Sequence, residues 1–197
     1  MNVSLSLTHA CNLACTYCYA GRKRAQAMSP DTARRALDFA FSFHEPQMQV
    51  GFFGGEPLLE WDLLQEATGW AEQLAAQSSV PLKKTVTTNA TRLDEARARW
   101  LREHEFYVGI SLDGNRAMHE ATRPYADGRS SFDDALRGLD AAARCLPCGW
   151  SWTRCAWRPT AFRWSRCAAP SLPPTPTGPW ARWSGRSGRR RGRSNRC

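Results

Sequence analysis

The most specific chemistry in the sequence lies in three cysteines. Cys11-x3-Cys15-x2-Cys18 places three thiols within eight residues. Three thiolates on one loop can each hold one iron of an iron–sulfur cube, leaving the fourth iron open to a substrate or cofactor. Zinc is the alternative. A structural zinc site is closed and four-coordinate, so it needs a further ligand, which His9 could supply. Three unligated buried thiols suit a strand-end loop poorly. A disulfide framework explains such close spacing less well than a metal does.

The elements that must hold this loop alternate. Val3–Thr8 alternates apolar and polar residues, as a strand does, and the cysteine loop follows from Ala10 to Gly21. Ser29-Pro30-Asp31 reads as an N-cap, a first-turn proline and a first-turn acid. Ala33, Ala36, Leu37, Ala40 and Phe41 then recur at helical spacing to about His44. Met48–Phe53 is the second expected strand, ended by Gly54-Gly55. Leu58–Ala76 is a helix, with Leu63, Leu64, Ala67, Trp70, Ala71 and Leu74 on one face. Lys84–Thr88 and Phe106–Leu112 are further strands, separated by a helix over Leu93–His104. Ser131 caps a fourth helix with Phe132, Ala135, Leu136 and Leu139 inward.

Four β/α units in about 144 residues argue for a parallel sheet with right-handed crossovers. The pattern alone leaves a barrel and an open doubly wound sheet both possible. Either places its chemistry at the carboxyl ends of the strands. The unusual residues fall there: the three cysteines, Gly54-Gly55-Glu56-Pro57, Asn89, and Ser111 with Asp113.

The charge divides the chain in two. Residues 1–144 carry 16 Lys and Arg against 18 acids, whereas residues 145–197 carry 11 Arg and no acid. The second stretch also holds 6 of the 9 Trp, 5 of the 8 Cys and 7 of the 12 Pro, and it lacks Val, Ile, Met, Tyr and His. No apolar run is long enough to span a membrane. Met1–His9 has no basic segment followed by a long apolar one, so no secretory signal is expected.

Cys11-Asn-Leu-Ala-Cys15-Thr-Tyr-Cys18-Tyr19 resembles the signature loop of the radical S-adenosylmethionine enzymes, including the aromatic Tyr17 before the third cysteine. Gly54-Gly55-Glu56-Pro57, Thr88-Asn89 and Ser111-Leu-Asp-Gly114 resemble the family's next three strand ends. His119-Glu-Ala-Thr-Arg-Pro124 and Gly128-Arg-Ser-Ser-Phe132 resemble the branch that contains the anaerobic sulfatase-maturating enzymes and the SPASM-type peptide maturases.

The resemblance implies a partial (β/α) parallel barrel of the radical SAM type over residues 1–144. It implies a [4Fe-4S] cluster on Cys11, Cys15 and Cys18, whose open iron chelates S-adenosyl-L-methionine. One electron then cleaves the sulfonium C–S bond, giving methionine and a 5′-deoxyadenosyl radical that abstracts a hydrogen atom. For the S-adenosylmethionine site it implies Tyr17, Gly54, Gly55, Glu56, Pro57, Asn89, Ser111, Asp113 and Arg123. In that assignment Glu56 accepts the methionine ammonium and Arg123 pairs the carboxylate, with Arg129 as competitor. Asn, Ser and Asp-Gly are also ordinary turn residues, and His119 is more often structural than catalytic. The branch implies a peptide or protein substrate and a low-potential electron donor such as a flavodoxin or ferredoxin; a cytoplasmic location is expected because thiolates and a labile cluster need reducing surroundings.

Residues 145–197 fit none of this. A complete barrel needs about two further β/α units, starting with a β-branched strand near residue 147. Instead the chain reads as an irregular or disordered tail rich in Arg, Trp, Cys and Pro. A GC-rich gene read out of frame yields such a composition, and a frameshift near Ala143–Cys145 is the favoured explanation. The alternatives are an auxiliary metal site on Cys145, Cys148, Cys155 and Cys167, or a cationic nucleic-acid-binding tail. A zinc-binding module with such a tail is the rival reading of the whole chain. The partial sheet is expected to leave an unpaired edge and an uncovered apolar face, and the chain to turn over weakly or not at all.

Overall fold

The computed structural model describes residues 1–21 and 23–145. The expectations for the tail, including its cysteines, therefore lie outside the described residues beyond Cys145. The elements are β1 (Asn2–Thr8), α1 (Pro30–Phe41), β2 (Met48–Gly54), α2 (Trp61–Ser78), β3 (Leu82–Thr88), α3 (Glu95–Glu103), β4 (Phe106–Ile110), α4 (Arg116–Thr122) and α5 (Phe132–Cys145). A short 3-10 turn, Pro57–Glu60, leads into α2.

The strands form one parallel sheet in the order β1-β2-β3-β4. Sequential order is what a barrel wall requires. A doubly wound sheet reverses its order at a switch point, so that alternative falls away.

Alternation along each strand explains the sheet's two faces. Leu5, Leu7, Met48, Val50, Phe52, Val86, Phe106 and Val108 are buried together with helix residues such as Leu37, Leu64, Ala67 and Leu101. The intervening positions include Ser4, Ser6, Phe53, Thr87 and Tyr107, which are exposed. Register pairs Ser4 with Gly51, Gly51 with Thr85, and Thr85 with Tyr107 across all four strands. The uncovered face is thus mostly small and hydroxyl-bearing, with two aromatics. This corrects the expectation of an uncovered apolar face. Ser4 and Ser6 of β1 and Lys83, Thr85 and Thr87 of β3 lie on this face, whereas Thr8, Lys84 and Thr88 are buried.

The caps account for the helix boundaries. Ser29 accepts from Thr32 N, Asp94 from Arg97 N and Asn115 from Met118 N. The first turn of the expected Leu58 helix is instead the 3-10 turn, because Glu56 caps it at Leu58 N. Helix α4 went unforeseen, since seven residues are too few to show an apolar period.

Helix α5 rests on the loop after β3 through a glycine. A Cβ at Gly138 would stand 2.0 Å from Ala90 O, a backbone atom that cannot swing aside. Gly138→Ala is expected to cost about 1–3 kcal/mol through overpacking, read as a lower urea midpoint with an unchanged slope.

Candidate functional site

The cysteine loop leaves the end of β1 and returns to it. His9 N donates to Gln26 O at 2.8 Å and Met28 N to Leu7 O at 2.7 Å, so residues 26–28 pair back against β1. The excursion between them carries all three thiols, each half-buried.

Three other segments hold the loop from outside. The first is Gly54-Gly55-Glu56 at the end of β2. Gly55 N donates to Thr8 O at 2.7 Å and Glu56 N to Ala10 O at 2.9 Å. Gly54 has φ of +140°, and a Cβ on Gly55 would lie 2.1 Å from Ala10 O. The glycines let two backbones touch just before Cys11.

The second is the end of β3. Asn89 Nδ2 donates to Asn12 Oδ1 at 3.0 Å, and Asn12 Nδ2 donates to Thr91 Oγ1 at 2.7 Å. Glu56 is inserted beneath this network with only 1% of its surface exposed. Its carboxylate accepts from Thr88 Oγ1 (2.6 Å), Asn89 N (2.8 Å) and Leu58 N (3.1 Å). Burial pushes its pKa up, and these three donors work against that push. Glu56 therefore clasps the end of β2 to the end of β3. Pro57 beside it is buried at the start of the 3-10 turn.

The third is residues 122–126, which lie as a strap along the loop. Ala14 N donates to Pro124 O at 2.8 Å, Thr16 N to Thr122 O at 2.9 Å, and Ala126 N to Asn12 O at 3.4 Å. Asp113 anchors the strap. It accepts from Tyr17 Oη at 2.5 Å and Thr122 Oγ1 at 2.7 Å, and it pairs with Arg123 Nε at 2.9 Å. Arg123 also lies over the Tyr17 ring at 5.2 Å. Burial and the Asp113 contact push the Tyr17 pKa up to about 12.

Behind the strap, His119 is fully buried. Asp113 N donates to its Nδ1 at 3.4 Å, so Nε2 carries the proton toward Ser131 Oγ at 3.0 Å. Ser131 in turn donates to Arg123 O at 2.6 Å. Burial, with the Arg123 charge nearby, lowers the His119 pKa.

Burial raises the Asp113 carboxyl, but the bonds from Tyr17, Thr122 and Arg123 outweigh it and hold the pKa below the usual value. A carboxyl lowered on folding contributes stability above its unfolded pKa of about 3.9 and loses it as the pH falls through the folded value. Asp113→Asn is thus expected to be less stable than the parent at pH 7, and the gap is expected to close in acid. Urea unfolding of both proteins down the pH scale checks this.

Each thiol meets a different donor. Asn89 Nδ2 lies 3.8 Å from Cys11 Sγ, Arg123 Nη1 3.9 Å from Cys15 Sγ, and Lys23 Nζ 2.7 Å from Cys18 Sγ. Burial pushes the Cys11 and Cys15 thiols up. At Cys18 burial also acts upward, but the Lys23 hydrogen bond and charge prevail and the thiol is lowered.

The structure thus gathers Cys11, Cys15, Cys18, Tyr17, Gly54, Gly55, Glu56, Asn89, Asp113 and Arg123 around one loop. Ser111 sits just past β4, its N–H bonded to Thr88 O at 2.9 Å. Arg129 is exposed and paired with Asp127, so Arg123 is the arginine at the loop. His9 is exposed, and among the described residues no three Cys, His, Asp or Glu converge as a single-ion site requires. Three thiols with no fourth donor among the described residues fit a cluster with an open iron better than a closed zinc site. Asn12, Lys23, Thr88 and Thr91 escaped the sequence reading. They lie within or beside the motifs; Asn12, Thr88 and Thr91 meet partners distant in the chain, and Lys23 meets Cys18 five residues before it.

Comparison with known proteins agrees with this geometry. An uncharacterized protein of Methanocaldococcus jannaschii is 35% identical over 135 residues, covering 68% of this chain and 46% of its own. A serine-type anaerobic sulfatase-maturating enzyme of Klebsiella aerogenes is 35% identical over 136 residues, covering 66% of this chain and 34% of its own. The solved structure of native anSMEcpe with bound AdoMet and Cp18Cys peptide superposes with a TM-score of 0.66 at 23% identity. It covers 73% of this chain and 40% of that one. The chain therefore spans less than half the length of these relatives. Residues 5–154 match the Radical SAM superfamily. With the cysteine loop, the four parallel β/α units and these relatives all in agreement, the chain belongs to the Radical SAM superfamily.

Proposed function

We propose that Cys11, Cys15 and Cys18 hold a [4Fe-4S] cluster and that the surrounding strand ends hold S-adenosyl-L-methionine. The observation that carries this is a single loop of three thiols, pinned from three sides, with no fourth thiol or imidazole beside it among the described residues. The chemistry such a centre supplies is one-electron cleavage of the cofactor's sulfonium C–S bond, followed by hydrogen-atom abstraction from a substrate.

The chain's own residues do the holding. Gly54 and Gly55 set the path of the backbone into Cys11. Glu56 fixes the β2 and β3 ends at the correct spacing, and its one underused oxygen faces Asn89 N. Asn89 orients Asn12 and the first cysteine. Asp113 holds Arg123 and Tyr17, the two groups with charge or ring surface to offer a bound zwitterion. Ser111 and Pro57 complete the ring of strand ends.

We further propose a peptide or protein substrate, on the strength of the sulfatase-maturating relative and the peptide-bound structural neighbour. A low-potential donor such as a flavodoxin or ferredoxin supplies the electron, and the protein works in the cytoplasm, where thiolates stay reduced. Among the described residues no helix is long and apolar enough to cross a membrane. Residues 145–197 are proposed to be a frameshifted tail in place of the remaining β/α units. The four-stranded core then holds its cofactors on an open sheet, with little turnover.

Anaerobic incubation of the reduced, reconstituted chain with S-adenosylmethionine tests the reading. The expected result is slow formation of methionine and 5′-deoxyadenosine without peptide modification. Absence of both products from protein that carries a full complement of iron would refute it.

A further inference from the structure

The three thiols are matched by three donors of unequal charge, and this inequality has a consequence. Cys11 faces a neutral amide, Asn89. Cys15 faces a guanidinium, Arg123, whose charge is already answered by Asp113 at 2.9 Å. Cys18 faces Lys23, at 2.7 Å the shortest of the three contacts. Among the described residues Lys23 forms no ion pair with a carboxylate. Its hydrogen-bond partner is the Cys18 sulfur. Its side chain is also partly shielded from water, where a charge acts more strongly than at an open surface.

We infer that Lys23 is a positioning residue that sets the reduction potential of the cluster through Cys18, an inference that rests on the cluster assignment proposed above. The argument is electrostatic. Reduction adds one negative charge to a cluster whose thiolate ligands are already anionic. A fixed cation beside one sulfur stabilises the reduced form more than the oxidised form and so raises the potential. Arg123 contributes less, because Asp113 cancels much of its field. Asn89 contributes only a weak N–H···S dipole at 3.8 Å. Among the described residues, Lys23 is the cation that touches a loop sulfur without a carboxylate partner, on the Cys18 side. Lys23 lies five residues after Cys18, on the limb that runs back to β1, so the loop itself carries it to the sulfur.

The test is an EPR-monitored redox titration of the full chain, reconstituted anaerobically, without S-adenosylmethionine or substrate. Lys23→Gln and Lys23→Arg are compared with the parent at equal iron content. At the parent's midpoint potential, Lys23→Gln is expected to lower the ratio of reduced to oxidised cluster by at least about threefold. Lys23→Arg, which keeps the charge, is expected to stay near the parent. An unchanged ratio in Lys23→Gln overturns the inference. So does a loss of iron in that variant with no change of potential in what remains, which would mark Lys23 as merely structural. If the parent holds no cluster of this type, the site assignment itself fails, and the inference fails with it. Iron and sulfide analysis of the parent tells that outcome from the others.

Discussion

Replacing Glu56 by Ala is expected to cost about 3 kcal/mol of stability and to loosen the cysteine loop with it. Glu56 is nearly fully buried, and three donors from two segments, the 3-10 turn and the end of β3, converge on its carboxylate. Removing the acceptor strands Leu58 N, Asn89 N and the Thr88 hydroxyl in a space that an alanine leaves empty. Each buried donor left unpaired costs about 1–3 kcal/mol, reduced where water enters the cavity. Glu56→Gln tests the geometry rather than the volume. It keeps one oxygen as an acceptor but turns an amide N–H toward at least one of the donors, so it too is expected to destabilise, by less. Urea unfolding gives both values. A surface acid at a helix start would cost well under 1 kcal/mol on replacement, and that result would contradict the clasp.

The largest effect on cofactor content is expected from the cysteines taken singly. Cys11→Ser, Cys15→Ser and Cys18→Ser should each reduce the bound iron of anaerobically reconstituted protein from roughly four per chain to a small fraction of that, with loss of visible absorbance. The fold should survive each change, because all three thiols are only half-buried and none belongs to the apolar core. Circular dichroism of the three variants separates these outcomes. Retained secondary structure with lost iron is expected, whereas iron that persists in any one variant would remove that cysteine from the ligand set.

The sequence revealed the parts of the fold that depend on local chemistry. Ser29-Pro30-Asp31 announces α1, and the structure shows Ser29 capping it at Thr32 N. The strand alternation fixed which residues lie under the helices. The same alternation also held the polarity of the other face, but an incomplete sheet was assumed to expose apolar surface. Ser4, Ser6, Thr85 and Thr87 contradict that assumption. The site was legible as a list of motifs and not as a set of contacts. Nothing local in His119–Pro124 shows that residues 122–126 strap the cysteine loop more than a hundred positions earlier. Nor does Gly54-Gly55-Glu56 show that its glutamate turns inward. In the structure that side chain lies buried among three donors. Such pairings are set by tertiary packing, which neither spacing nor composition encodes.

The central claim is that one loop holds a cluster with an iron left open for S-adenosylmethionine. The most direct measurement is the EPR spectrum of the reduced, reconstituted chain before and after addition of S-adenosylmethionine, with iron and sulfide determined on the same sample. Roughly four iron and four sulfide per chain, with a spectrum that changes on adding the cofactor and not on adding methionine and adenosine together, is the predicted result. A colourless protein that instead retains one zinc per chain, or a cluster whose spectrum ignores S-adenosylmethionine, would contradict it.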